Sequence, residues 1–172
     1  MGSCLQSGKC CTSFGVCVTP FDLLRISKAI GLKPEDIVQF IPEPPNRERT
    51  EPAVIVDTGK FLMVLKWKKE LICMFYSGSG CNIYEDRPML CRTYPFCLKN
   101  GKFSEMKSRV CPSSWIPEAM EKKQYLADLK QYEKEVMAYR LMVEKWNGKG
   151  GGSFIGFLKY SIKEAKKLSK LF

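Results

Sequence analysis

The sequence predicts an α+β fold: a small antiparallel sheet with cysteine-rich loops, followed by a C-terminal helical hairpin. Three observations carry this. All nine cysteines lie in the first 111 of 172 residues, placed among turn signals rather than on one periodic face. Short apolar, β-prone runs separated by Asp-Thr-Gly-Lys and Asn-Gly turns fill the middle of the chain. From Pro117 onward the pattern becomes helical and contains no cysteine. The expected division is a cysteine-cluster domain over residues 1–116 and a helical extension over 117–172.

The elements follow in order. Cys4 to Cys17 is a cysteine loop. Thr19-Pro20 starts a helix, with a capping hydroxyl and a proline in the first turn. Phe21, Leu24 and Ala29 give it an apolar side, and Gly31 ends it. A second short helix is expected from Pro34 to Phe40. Ile41-Pro42-Glu43-Pro44-Pro45 is expected as a rigid turn or linker, because proline cannot sit inside a helix. Ala53–Val56 and Phe61–Leu65 form a hairpin, and Leu71–Tyr76 is a third strand. Ser77-Gly78-Ser79-Gly80 turns the chain into Cys81. Glu85–Arg92 is a short helix. Cys97–Lys99 and Lys102–Ser104 form a small hairpin around Asn100-Gly101.

The C-terminal part is one long helix over Pro117–Asn147. Tyr125, Leu129, Tyr132, Val136, Tyr139, Val143 and Trp146 recur at spacings of 4 and 3, which is an a/d seam. That seam buries against the rest of the chain or against a second copy or partner, so both monomer and homodimer are open. Gly148–Ser153 breaks the helix, and Phe154–Phe172 completes the hairpin.

Charge is uneven. Lys+Arg number 28 against 18 Asp+Glu, a formal net charge of +10. Residues 149–172 hold six lysines and one glutamate, a net +5 and half of the total. A basic amphipathic helix of this kind fits a protein partner or an anionic surface. No aromatic stacking motif is interleaved with these lysines, which weakens the case for nucleic acid.

The chain contains no histidine. This excludes Ser-His-Asp and Cys-His nucleophile systems, imidazole bases and His metal ligands. Any metal is held by thiolate, with carboxylate the lesser option. An odd cysteine count is awkward for a disulfide framework. The start Met1-Gly2-Ser3-Cys4-Leu5 lacks the basic and apolar regions of a secretory signal, and no run is long enough for a membrane span. A reducing cytoplasmic setting is therefore expected, with thiols free for metal.

The informative block runs Cys81-Asn82-Ile83-Tyr84-Glu85-Asp86-Arg87-Pro88-Met89-Leu90-Cys91-Arg92-Thr93-Tyr94-Pro95-Phe96-Cys97. Cys4, Cys10-Cys11, Cys73 and Cys111 accompany it. Together these resemble the YkgJ-like cysteine-cluster family, described as zinc- or iron-chelating. The resemblance covers roughly residues 4–111 and leaves out the helical tail. It implies Cys4, Cys10, Cys11, Cys73, Cys81, Cys91, Cys97 and Cys111 as metal ligands. Arg87, Arg92 and Tyr94 are the candidate cofactor-binding residues, although packing or ion pairing with Glu85 or Asp86 explains them equally well. One departure is clear: Ser7 stands where the family has its second cysteine, and Cys17 could replace it.

Thiolates suit both zinc and iron–sulfur clusters. Neighbouring Arg87 and Arg92 would lower thiol pKa values and offset an anionic site. The intervening spacings are 5, 0, 5, 55, 7, 9, 5 and 13 residues, with no C-x₂-C pair. Zinc knuckles favour short regular pairs, whereas a cluster accepts ligands from scattered loops. A cluster of the 4Fe–4S type is the favoured expectation and zinc the alternative. The related flagellin lysine methylase carries a similar cysteine block, which implies an S-adenosylmethionine-dependent alternative. A zinc-stabilised interaction module is the third reading. The chain shows no G-x-G-x-x-G after a strand and no radical-type cysteine triplet, so the sequence leaves open whether it is an enzyme.

Overall fold

The computed structural model describes residues 7–45, 51–57, 59–106, 110 and 116–170. It shows a mixed α+β fold with small antiparallel sheets and a C-terminal pair of helices. Helix α1 (Pro20–Ile30) begins at Thr19 with a capping box: Thr19 Oγ1 accepts from the Asp22 amide, and the Asp22 carboxylate accepts from the Thr19 amide at 2.8 Å. It ends at Gly31, which takes the left-handed conformation that a side chain would resist.

The expected second helix is shorter than its proline start implied. α2 spans Pro34–Ile37, and the chain then becomes strand β1 (Val38–Pro42). Val38, Phe40 and Ile41 are β-branched or aromatic, and pairing with a neighbouring strand overrides local helix preference. The Ile41-Pro42 part of the expected linker is therefore strand. Pro42 is tolerated because β1 is an edge strand at its last register position.

The expected hairpin is present as β2 (Val54–Val56) and β3 (Gly59–Leu65). β3 is central, in the order β1–β3–β2, with Phe40 opposite Met63 and Val54 opposite Phe61. Its run Leu62–Leu65 is fully buried, as a strand covered on both faces requires. Leu71–Tyr76 is not one strand. Only Ile72–Cys73 (β5) pairs, with β4 (Trp67–Lys69), in a separate two-stranded sheet. Leu71 has φ 60°, the left-handed value of a turn residue, which shortens the strand.

The short helix is displaced toward the C-terminus. Pro88 caps α3 (Met89–Thr93), while residues 82–86 form turns. β6 (Phe96–Lys99) and β7 (Lys102–Glu105) form the small hairpin. Asn100 and Gly101, at φ 51° and 72°, supply its primed turn.

Helix α4 (Ala119–Asn147) runs for 29 residues and α5 (Phe154–Leu168) for 15. The α4 seam is buried within this chain. Tyr125 meets Phe96 at 4.7 Å, Tyr132 and Val136 pack on Met89, Tyr139 and Val143 enter the main core, and Trp146 stacks on Tyr160 at 5.7 Å. The far end of α4 is tied to β2. Asn147 Oδ1 accepts from the Ile55 amide at 2.8 Å, Asn147 Nδ2 donates to Ala53 O, and Trp146 Nε1 donates to Ile55 O at 2.9 Å. Gly152 bridges Val56, and a Cβ on Gly151 would lie 2.5 Å from Ile55 O. The glycine-rich break is thus a close-packed junction. Among the described residues no helix is long and apolar enough to cross a membrane.

Candidate metal centre

Five thiols occupy one neighbourhood. Cys10 and Cys11 lie on a short 3-10 turn (Cys10–Thr12), with their sulfurs 3.9 Å apart. Cys73 ends β5, which packs on that turn. Cys81 closes the next turn by bridging Tyr76. Cys91 sits in the middle of α3. Cys11, Cys73, Cys81 and Cys91 all border the same apolar cluster, and none of the seven described cysteines is in a disulfide.

Their electrostatics interlock. A hydrogen bond from Cys11 lowers the Cys10 thiol to about 7, against an opposing effect of burial. The same contact raises Cys11, aided by burial and by the charges of Cys10, Cys91 and Cys73. Burial pushes Cys73 up, with Cys81 and Cys10 adding to the effect and Lys68 opposing it. Burial also pushes Cys91 well above the ordinary thiol range, reinforced by Cys10, Cys73 and Cys81. Mutual repulsion of this kind is relieved when a cation binds and displaces the protons.

The backbone around the thiols is pinned locally. Thr12 Oγ1 donates to Gly8 O at 3.0 Å, and Ser13 Oγ donates to Lys9 O at 2.6 Å. Gly8 has φ 73°, and a Cβ there would lie 2.3 Å from the Tyr76 ring. Tyr76 therefore closes over the cysteine turn, and its hydroxyl donates to Gly78 O at 2.8 Å. Between Cys73 and Cys81 the chain folds on itself through Tyr76 N to Cys73 O, Ser77 N to Gly80 O and Asn82 N to Phe75 O.

Asp22 sets the position of α3. Its buried carboxylate accepts from the Met89 amide at 2.8 Å, two residues before Cys91. The same carboxylate accepts from Thr19 and from Arg25, and Arg25 also donates to Glu135 of α4 at 3.0 Å. Burial alone would lower the Arg25 pKa, but the two carboxylates outweigh it and hold the guanidinium more firmly charged. Burial raises Glu135, with Arg25 and Gln131 opposing. The network links α1, α3 and α4.

The other predicted site residues lie as follows. Arg87 stacks over the Tyr84 ring at 3.8 Å and donates to Tyr84 O. Arg92 donates to Arg87 O at 3.2 Å and to Glu85 O. Both guanidinium groups brace the 84–92 loop through backbone carbonyls rather than through the Glu85 or Asp86 side chains. Tyr94 accepts from the Val110 amide at 2.7 Å and packs near Phe14. Cys97 is half-buried on β6 opposite Ser104. Ser7 is exposed. Cys17 is 2 % exposed and packs in a separate apolar group with Leu62 and Val64. Cys4 and Cys111 lie outside the described residues.

Among the described residues, no three Cys, Asp or Glu side chains already converge as a metal-ligand group. The chemistry of the donors nevertheless fits a thiophilic metal: several thiols outside any disulfide, no histidine, and a buried apolar surround. Sequence reasoning had not identified Asp22, Gly8 or Tyr76 as supports. The Thr19-x-x-Asp22 spacing is the one visible signal, since it marks a capping box.

Fold and thiol set together define a cysteine-cluster metal-binding protein of the α+β class. A family model described as "CxxCxxCC: Putative zinc- or iron-chelating domain" matches residues 3–112, and the chain belongs to this family. No curated protein matches the chain. No solved structure matches it either.

Proposed function

We propose that this protein holds an iron–sulfur cluster through its cysteine thiolates and serves in metal handling or electron transfer. One observation carries the reading: five thiols from four separate backbone segments share one neighbourhood beside the main apolar core without any C-x₂-C knuckle. A cluster accepts thiolates from scattered loops, while a structural zinc site favours paired knuckles. Cys10, Cys11, Cys73, Cys81 and Cys91 are the ligand candidates within the described residues, with Cys4, Cys97 and Cys111 completing the family set. When bound, the cluster supplies one-electron redox chemistry at a potential tuned by charge, hydrogen bonds and exposure. The chain's own part is to hold the thiols in an apolar surround, where Lys68 is the cation acting on Cys73. The test is purification without oxygen, followed by iron, acid-labile sulfide and zinc analysis. Iron and sulfide in matching stoichiometry support the reading, and zinc in a colourless protein contradicts it. Arg87, Arg92 and Tyr94 act in this account as braces of the loop before and after Cys91. Methyl transfer from S-adenosylmethionine has no observation in its favour beyond the cysteine block.

A further inference from the structure

Helix α5 carries a lysine stripe that the metal centre does not use. Lys159, Lys163, Lys166, Lys167 and Lys170 are all exposed. They surround Ile162 on one open face of the helix and the turn that follows it. Lys159–Lys163, Lys163–Lys167 and Lys166–Lys170 are like-charge pairs at i,i+4, an arrangement that destabilises a helix. The helix dipole explains Lys166 and Lys167 in the last turn but not Lys159 or Lys163. Glu164 is already occupied by Lys167 at 2.7 Å, which, together with Lys145 and Lys163, holds its carboxyl below the usual range. Among the described residues the five lysines of the stripe thus share one carboxylate, which leaves a net cationic surface.

The opposite face of α5 decides what that surface can take. Phe157, Leu158, Ser161 and Ala165 are buried, with Phe21 and Leu24 of α1 packed around Ala165. The helix cannot turn an apolar face into a lipid bilayer without leaving the fold, which removes the usual membrane mode. The nearby aromatic rings, Trp146 and Tyr160, are stacked on each other rather than presented as platforms for bases. Lysines without arginine suit flexible carboxylates as point charges, rather than forked phosphate recognition.

We propose that the Lys159–Lys170 stripe docks an acidic, extended segment of a partner protein, with an apolar side chain covering Ile162. The stripe is roughly 16 Å long, so an extended strand of about five residues spans it. The proposal does not depend on which metal is bound.

Fluorescence anisotropy with the full chain tests it. The probe is a labelled glutamate-rich peptide of about eight residues with one central leucine. Saturable binding that weakens with added salt is expected. Lys163→Glu, Lys166→Glu and Lys170→Glu together should weaken it at least about tenfold. The matching Lys→Gln triple variant should also weaken it, and serves if charge reversal disturbs folding. No saturable peptide binding would overturn the proposal. So would tighter binding of a single-stranded oligonucleotide or of phosphatidylserine vesicles, or unchanged affinity in a folded triple variant.

Discussion

The Asp22 carboxylate accepts a hydrogen bond from the Met89 amide at 2.8 Å and so joins the first turn of α1 to the start of the helix that carries Cys91. Three further donors, from Thr19 and Arg25, converge on the same carboxylate. Arg25 extends the contact to Glu135 on α4, which makes the long helix part of the frame around α3.

Removing this junction should be felt at the metal centre. Asp22→Ala leaves Arg25 beside Glu135 alone and frees the Met89 amide. Breaking a buried charged pair costs about 3–5 kcal/mol, and urea denaturation should show a loss of that order. Metal affinity should fall as well, because Cys91 loses its anchored helix. Asp22→Asn, which keeps an acceptor for Met89, should retain more affinity than Asp22→Ala. Equal affinity in both variants and the parent would remove Asp22 from this role.

The cysteines divide into two kinds. Cys91→Ser should lower metal content. Cys17→Ser should leave it unchanged and instead cost about 1–3 kcal/mol through a buried hydroxyl. Elemental analysis and thermal melting of the two variants separate these outcomes. Loss of metal from Cys17→Ser would return Cys17 to the ligand set.

Stability of the metal-free protein should depend on alkaline pH. The Cys73 and Cys91 thiols are raised above the ordinary value of 9.0 in the fold. The folded state therefore keeps protons that the unfolded chain releases. Their contribution is fully present below about pH 9 and is lost as pH rises through the folded values. Melting temperature of the metal-free form should fall from about pH 9 upward. The metal-loaded form, whose ligand thiols are already deprotonated, should fall less. Identical alkaline profiles would contradict the assignment.

Gly8→Ala places a methyl group against Tyr76 at a positive φ. Strain of this kind costs about 1–3 kcal/mol. The change should loosen the Cys10–Cys11 turn and weaken metal binding, and Tyr76→Leu in the same chain should restore part of the loss by making room. A Gly8→Ala protein with parental stability and metal content would show that the contact is dispensable.

Much of this architecture was legible in the residues. Thr19-Pro20 and Gly31 mark both ends of α1, Asn100-Gly101 marks the hairpin turn, and the α4 seam is read directly from its spacing. The misreadings share a cause. Val38–Pro42 became strand because β3 offered a partner, which no local window contains. Leu71–Tyr76 shrank to two paired residues because a left-handed Leu71 and the turn at Met74-Phe75 interrupt it. At the site, the cysteine block was visible as sequence. The Asp22–Met89 contact was not, because its partners lie 67 residues apart. Arg87 and Arg92 looked like partners for thiolates or carboxylates, yet their hydrogen bonds go to loop carbonyls, a role that charge alone does not predict.

The central claim is that these thiols hold an iron–sulfur cluster. It is tested most directly by metal and sulfide analysis of the full chain purified without oxygen. The account predicts iron with an equal amount of acid-labile sulfide, and loss of both in Cys91→Ser. Stoichiometric zinc without sulfide would contradict it.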